Sequence, residues 1–235
     1  MARNIRTELS RIAQILYSKK LCNNIFPIMN AVGMLKNSDT CKIEELKITL
    51  PYIPPNIIPY GLIQLEAVIN ITTDYNKTVN DIDIDNVFNT YAFQISFRGY
   101  GKGGKIYHSA IHLDYDPTNS SNYIHPWFHL TYGGHSIKNV AHGELMIMPV
   151  PRVPIWPMDF ILGLDFVLSN FLSESDYKNW FVADSNYKAA LRNSQKEIWQ
   201  PYFLSMAHHW CTFANCQRNM VNSQLSINYM PTLIL

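Results

Sequence analysis

Residues 106–137 read IYHSAIHLDYDPTNSSNYIHPWFHLTYGGHSI, and the alternation inside them decides the fold. Along 105–116, Tyr107, Ile111, Leu113 and Tyr115 fall on one side of an extended chain. His108, Ala110, His112, Asp114 and Asp116 fall on the other. Along 126–133, Phe128, Leu130 and Tyr132 alternate with Trp127, His129 and Thr131. A period of two marks a strand with one packed face and one polar face. The polar loop between the two runs makes them neighbours. The same stretch holds five of the chain's eight histidines.

The pattern extends upstream. In residues 62–72 the apolar Ile63, Leu65, Ala67, Ile69 and Ile71 alternate with Gln64, Glu66, Asn70 and Thr72. In residues 90–98, Tyr91, Phe93, Ile95 and Phe97 alternate with Gln94, Ser96 and Arg98. Residues 42–53 predict a further short strand, followed by a rigid proline-rich connection. The GYGKGGK run at 99–105 has neither the spacing nor the following helix of a phosphate loop and predicts a hairpin turn. Asp81, Asp83 and Asp85 lack the central Gly and closing Glu of a calcium loop.

The helical signals flank this block. Ile5, Leu9, Ile12 and Leu16 share one face of a helix over 4–19. Residues 22–35 read as apolar and irregular, with Pro27 and Gly33 as breakers. Residues 158–172 predict a core helix that is apolar nearly all round. Pro157 stands at its start, and Asp159 suits its first-turn dipole. Asp165 inside it needs a partner, for which Arg152 or a histidine would serve. Ser173 to Asp176 look like a cap, and 185–210 continue helically with a kink or break at Pro201. The expectation is one α+β domain over 1–235. Its antiparallel meander of four to five strands, at about 42–133, has helices covering one face.

Composition excludes some classes. The 235 residues are 47% hydrophobic and 16% charged, with a net charge of +1, so no global field favours nucleic acid. A local basic excess at the N-terminus (Arg3, Arg6, Arg11, Lys19, Lys20, Lys36) leaves phosphate contact open. Four cysteines make no disulfide framework, and no apolar run approaches the roughly 20 residues of a membrane span. The N-terminal pattern is an amphipathic helix rather than a secretory leader, so a reducing cytoplasm is the expected setting. The sequons at Asn70, Asn76 and Asn119 then carry no meaning.

The candidate chemistry lies on the polar face of the sheet. His108, His112, Asp114 and His129 form the expected catalytic centre, with Arg98 and Arg152 as phosphate-holding residues. A histidine beside a carboxylate can move protons near neutral pH. The same four residues can instead satisfy one another around a polar hairpin, and both readings stay open. His208, His209, Cys211 and Cys216 have an unusual spacing for zinc, and no cofactor is assigned. Five tryptophans and the apolar stretch 227–235 suggest a protein partner or a second copy of the chain.

One run resembles an uncharacterised bacterial family. It comprises His112, Asp114, His125-Pro126-x-x-His129-Leu130, Gly133-Gly134, Pro151-Arg152-Val153-Pro154, Pro157-x-Asp159-Phe160-Ile161 and Asn170-Phe171. The family is the domain of unknown function numbered 2290, and the similarity covers about residues 108–172. It implies that the patterned block belongs together in a bacterial, cytosolic protein, and it carries no activity. Proteins of this sort often sit in mobile-element or phage-defence gene clusters. The function expected is a non-catalytic subunit of a multiprotein complex, the alternative being a His/Asp-dependent phosphodiesterase or nuclease.

Overall fold

The computed structural model describes residues 4–53, 61–75, 88–117, 126–133 and 153–210. The expectations for Asp81, Asp83, Asp85, His125, His135, Arg152, Cys211, Cys216 and residues 227–235 fall outside these. So do those for the side chains of His208 and His209.

Among the described residues, six strands form one antiparallel sheet in the order β1-β2-β3-β4-β5-β6, so each strand pairs with its neighbour in sequence. They are β1 (Thr40–Leu50), β2 (Leu62–Tyr75), β3 (Phe88–Gly101), β4 (Ile106–Tyr115), β5 (Phe128–Tyr132) and the two-residue β6 (Val153–Pro154). This is the expected α+β meander. At the β3–β4 turn Gly103 and Gly104 take φ of +88° and +82°, which suits glycine, and Gly101 N–H donates to the Lys105 carbonyl.

One face of the sheet is the core. Leu65, Ala67, Ile69, Ile71, Phe93, Ile95, Ile111 and Leu113 are buried there. β1 joins them in two phases: Cys41 and Ile43 point inward, and then Leu46, Ile48 and Leu50 do. That slip of one residue is a bulge. Ile43 pairs Ile71 and Leu46 pairs Ile69, so Glu44 and Glu45 both oppose Asn70. Glu45 takes φ +54°, and its N–H donates to Asn70 Oδ1 at 2.8 Å. Lys42, Glu44, Glu45 and Lys47 leave this edge strand charged, which discourages pairing with another chain.

The helices are α1 (Ile5–Ser18), α2 (Phe26–Met34), α3 (Phe160–Phe171), α4 (Glu174–Tyr177), α5 (Ser185–Ser194) and α6 (Gln200–Trp210). α1 starts at an Asn4 cap and buries Leu9, Ile12, Ala13 and Leu16. It ends with Leu21 N–H donating to the Leu16 carbonyl and Lys20 N–H to that of Tyr17. Lys20 holds φ +57° at this turn, a place glycine usually takes. α2 corrects the expectation of an irregular 22–35. Pro27 lies in its first turn, where the missing N–H costs nothing, so the proline starts a helix instead of breaking one.

α3 is the central helix, with Ile161, Leu164, Val167 and Leu168 buried. Gly163 lets it approach β3 closely: a Cβ there would lie 2.1 Å from the Phe93 ring. Asp159 is its N-cap rather than a first-turn residue, accepting from Leu162 N–H at 2.9 Å and from Ser194 Oγ at 2.8 Å. Asp165 accepts from the hydroxyls of Tyr177 at 2.7 Å and Tyr187 at 2.9 Å. These tyrosines, rather than a histidine, are its partners among the described residues. Burial pushes the Asp165 carboxyl above its usual range, against the two hydroxyl hydrogen bonds that lower it. Ser173 caps α4 as expected. Two π-turns, Lys178–Val182 and Gln195–Trp199, continue α4 and α5. The second runs directly into Pro201, whose missing N–H is accommodated by widening the helix instead of breaking it.

Candidate functional site

Pairing of β3, β4 and β5 arranges the polar face in cross-strand rows. Asp114 stands between Ala92 and His129, and His112 between Gln94 and Thr131. Two residues further on, Ala110 pairs Ser96, and beyond it His108 pairs Arg98. Directly paired residues point to the same side of a sheet. His108, His112, Asp114 and His129 therefore share one face, as the alternation implies. They do not all meet. His108 is exposed and four residues from His112, roughly 13 Å along the strand.

The three that do cluster are differently placed. His129 is 3% exposed. Its Nδ1 lies 3.2 Å from the Pro126 carbonyl, which can only accept, so Nδ1 carries the proton. Nε2 then lies 3.8 Å from Asp114 Oδ2. The Asp114 side chain is half-exposed. His112 is half-buried, and its Nε2 lies 3.2 Å from the Gly133 carbonyl. That contact puts the proton on Nε2 and leaves the Nδ1 lone pair as the base. His112 is thus the imidazole suited to proton transfer, while His129 is turned inward.

Beside these residues is a shallow depression of about 270 Å³, lined by Glu44, Asn70, Thr72, Ala92 and Gln94 above Ile43 and Ile71. Ala92 is the short side chain of its row there, and Glu44 lies in the β1 bulge. Ala92 and Gln94 are the cross-strand partners of Asp114 and His112, so the acid and the base border its rim. The sequence reading placed Asn70, Thr72 and Gln94 on polar faces without assigning them to a site. The slip from Ile43 to Leu46 was the signal that could have located the bulge.

Arg98, expected to hold phosphate, lies between two carboxylates, 3.8 Å from Glu45 and 4.0 Å from Glu66. Its charge is already opposed. Among the described residues no group of three or more His, Cys, Asp or Glu could hold a metal ion, and Cys22 and Cys41 are buried thiols outside any disulfide. No helix among them is long and apolar enough to cross a membrane.

The fold defines an α+β protein with a meander sheet, one face packed under helices and the other polar. Comparison with family models, with curated proteins and with solved structures gives no match. The resemblance over 108–172 brings no residue role to this site.

Proposed function

We propose that the protein is a non-catalytic subunit that assembles with a protein partner through aromatic surface on its helical layer. The observation that carries this reading is an exposed cluster at the start of α6. Trp156, Phe203 and Leu204 are 40%, 47% and 53% exposed. The Trp156 ring lies 6.0 Å from both Trp199 and Phe203. Trp199 is fixed by donating to the Pro157 carbonyl at 2.9 Å, so the exposed rings rest on a rigid base. Large rigid aromatics carry a disproportionate share of interface energy. Replacing Trp156 and Phe203 together by Ser leaves the melting temperature nearly unchanged. It abolishes stoichiometric co-purification of the partner, read by light scattering on the native complex. A wild-type chain that purifies as a lone monomer overturns the reading.

A second reading rests on the Asp114–His129 pair and on the Nδ1 of His112, which has no partner among the described residues. Here His112 is the general base and Asp114 its neighbour in a phosphodiesterase or nuclease. A His112→Ala chain that loses hydrolysis of a phosphodiester substrate while keeping its fold establishes this reading. Absence of hydrolysis by the wild type removes it.

A further inference from the structure

The outer face of α2 is apolar where a solvated helix face would be polar. Ile28 and Ala31 turn inward and are buried. Phe26, Met29 and Met34 turn outward, 68%, 41% and 38% exposed. Asn30 and Gly33 share that outward face. A Cβ built at Gly33 meets nothing within 4 Å, so the stripe carries an open notch between Met29 and Met34. The helix is pinned from below by β1 and from the side by α1. The stripe is therefore a fixed surface about 13 Å long.

The chain that flanks it in sequence is basic as far as Asp39. Lys19 and Lys20 precede it and Lys36 follows it, all exposed. Residues 9–38 contain no Asp or Glu. Glu8, just before them, is buried and accepts from Asn193 Nδ2 at 2.7 Å. Lys20 is joined to Phe26 by residues 21–25 only, which keeps the cation within roughly 20 Å of the stripe. Lys19 is held over the Trp180 ring, its ammonium 5.9 Å from the centroid, which restrains one of these cations.

From this we infer that the outer face of α2 docks an acidic amphipathic helix of a protein partner, its apolar ridge in the Gly33 notch and its carboxylates toward Lys19, Lys20 and Lys36. A short ridge-and-notch surface suits a helix-in-groove contact. An anionic bilayer fits less well, because only three apolar residues project and Asn30 stands among them. The inference rests on the proposed protein-binding function and gives one of its contact surfaces a chemistry.

The test uses the full chain and a labelled synthetic peptide with leucine on one face and glutamate on the other, read by fluorescence anisotropy. Binding weakens about tenfold or more, the equivalent of losing one interface anchor, in Phe26→Ser with Met29→Ser. It weakens similarly in Gly33→Leu, which fills the notch. Gly33→Leu replaces the poorest ordinary helix former in open space, so its melting temperature does not fall. Added salt weakens binding, and a peptide with lysine in place of glutamate does not bind. The inference is overturned if the acidic peptide fails to bind, if the lysine peptide binds equally, or if Gly33→Leu binds unchanged. It is also overturned if phosphatidylserine vesicles take up the protein through α2 in place of the peptide. Failure here with intact co-purification through Trp156 and Phe203 removes this inference alone; loss of both removes the protein-binding reading.

Discussion

Phe93 and Gln94 are adjacent on β3 and belong to different environments. Phe93 is 2% exposed against α3, where Gly163 leaves room for its ring. Gln94 points the other way, to the half-open face beside His112 and the 270 Å³ depression. One face carries the stability of the sheet, and the other is free to vary its chemistry. Packing on the first face is close enough that a single added carbon matters. On the second, His129, a deeply buried polar side chain near the site, is held by a backbone carbonyl and a carboxylate.

The sharpest way to break this comparison is to truncate both neighbours. Phe93→Ala costs about 3–5 kcal/mol, from lost burial and the cavity left under α3, whereas Gln94→Ala costs about 1 kcal/mol or less, the range of one half-exposed polar contact. Urea denaturation checks both, and equal effects would remove the distinction between the faces. Gly163→Ala comes next. The added Cβ must displace the Phe93 ring, at a cost of about 1–3 kcal/mol that exceeds the gain of about 1 kcal/mol in helix propensity. A melting temperature that rises in this variant would show that β3 and α3 can move apart freely.

Within the polar face, His129→Ala costs about 1–3 kcal/mol because Asp114 and the Pro126 carbonyl lose their buried partner. His112→Ala costs less, about 1 kcal/mol, since only its half-buried hydrogen bond to the Gly133 carbonyl is lost. The same pair of variants separates a structural histidine from a chemically available one. The smallest effect expected is a pH dependence in the helical layer. The Asp165 carboxyl is raised above its unfolded value by burial, so its contribution to stability is complete below about pH 4, the unfolded carboxylate value. That contribution is lost as pH rises through the folded value. Asp165→Asn removes this loss, and melting curves across the acidic range should show a flatter profile in the variant.

The legible part of the fold was what a period of two makes legible. Alternation at Leu65 to Ile71, Phe93 to Phe97 and Ile111 to Leu113 identified the strands and their buried side. The bulge was also written in the chain, as the slip of apolar positions from Ile43 to Leu46, although strand periodicity read in a single phase passes over it. α2 was hidden because Pro27 resembles a breaker until its place in the first turn is known. For the site, a shared face followed from parity, but convergence did not. His108 lies on the correct face and too far along it.

The sequence by itself determined which side of each strand is buried and that successive strands pair, because side-chain direction alternates with residue number and short connections leave neighbouring strands little choice. Only the tertiary structure decided which polar groups meet. Asp165 finds Tyr177 and Tyr187, 12 and 22 residues away, and His129 turns its Nδ1 to a carbonyl instead of outward. Such contacts depend on register, on helix placement and on the direction of a single hydrogen bond, and no local pattern of residues encodes any of these.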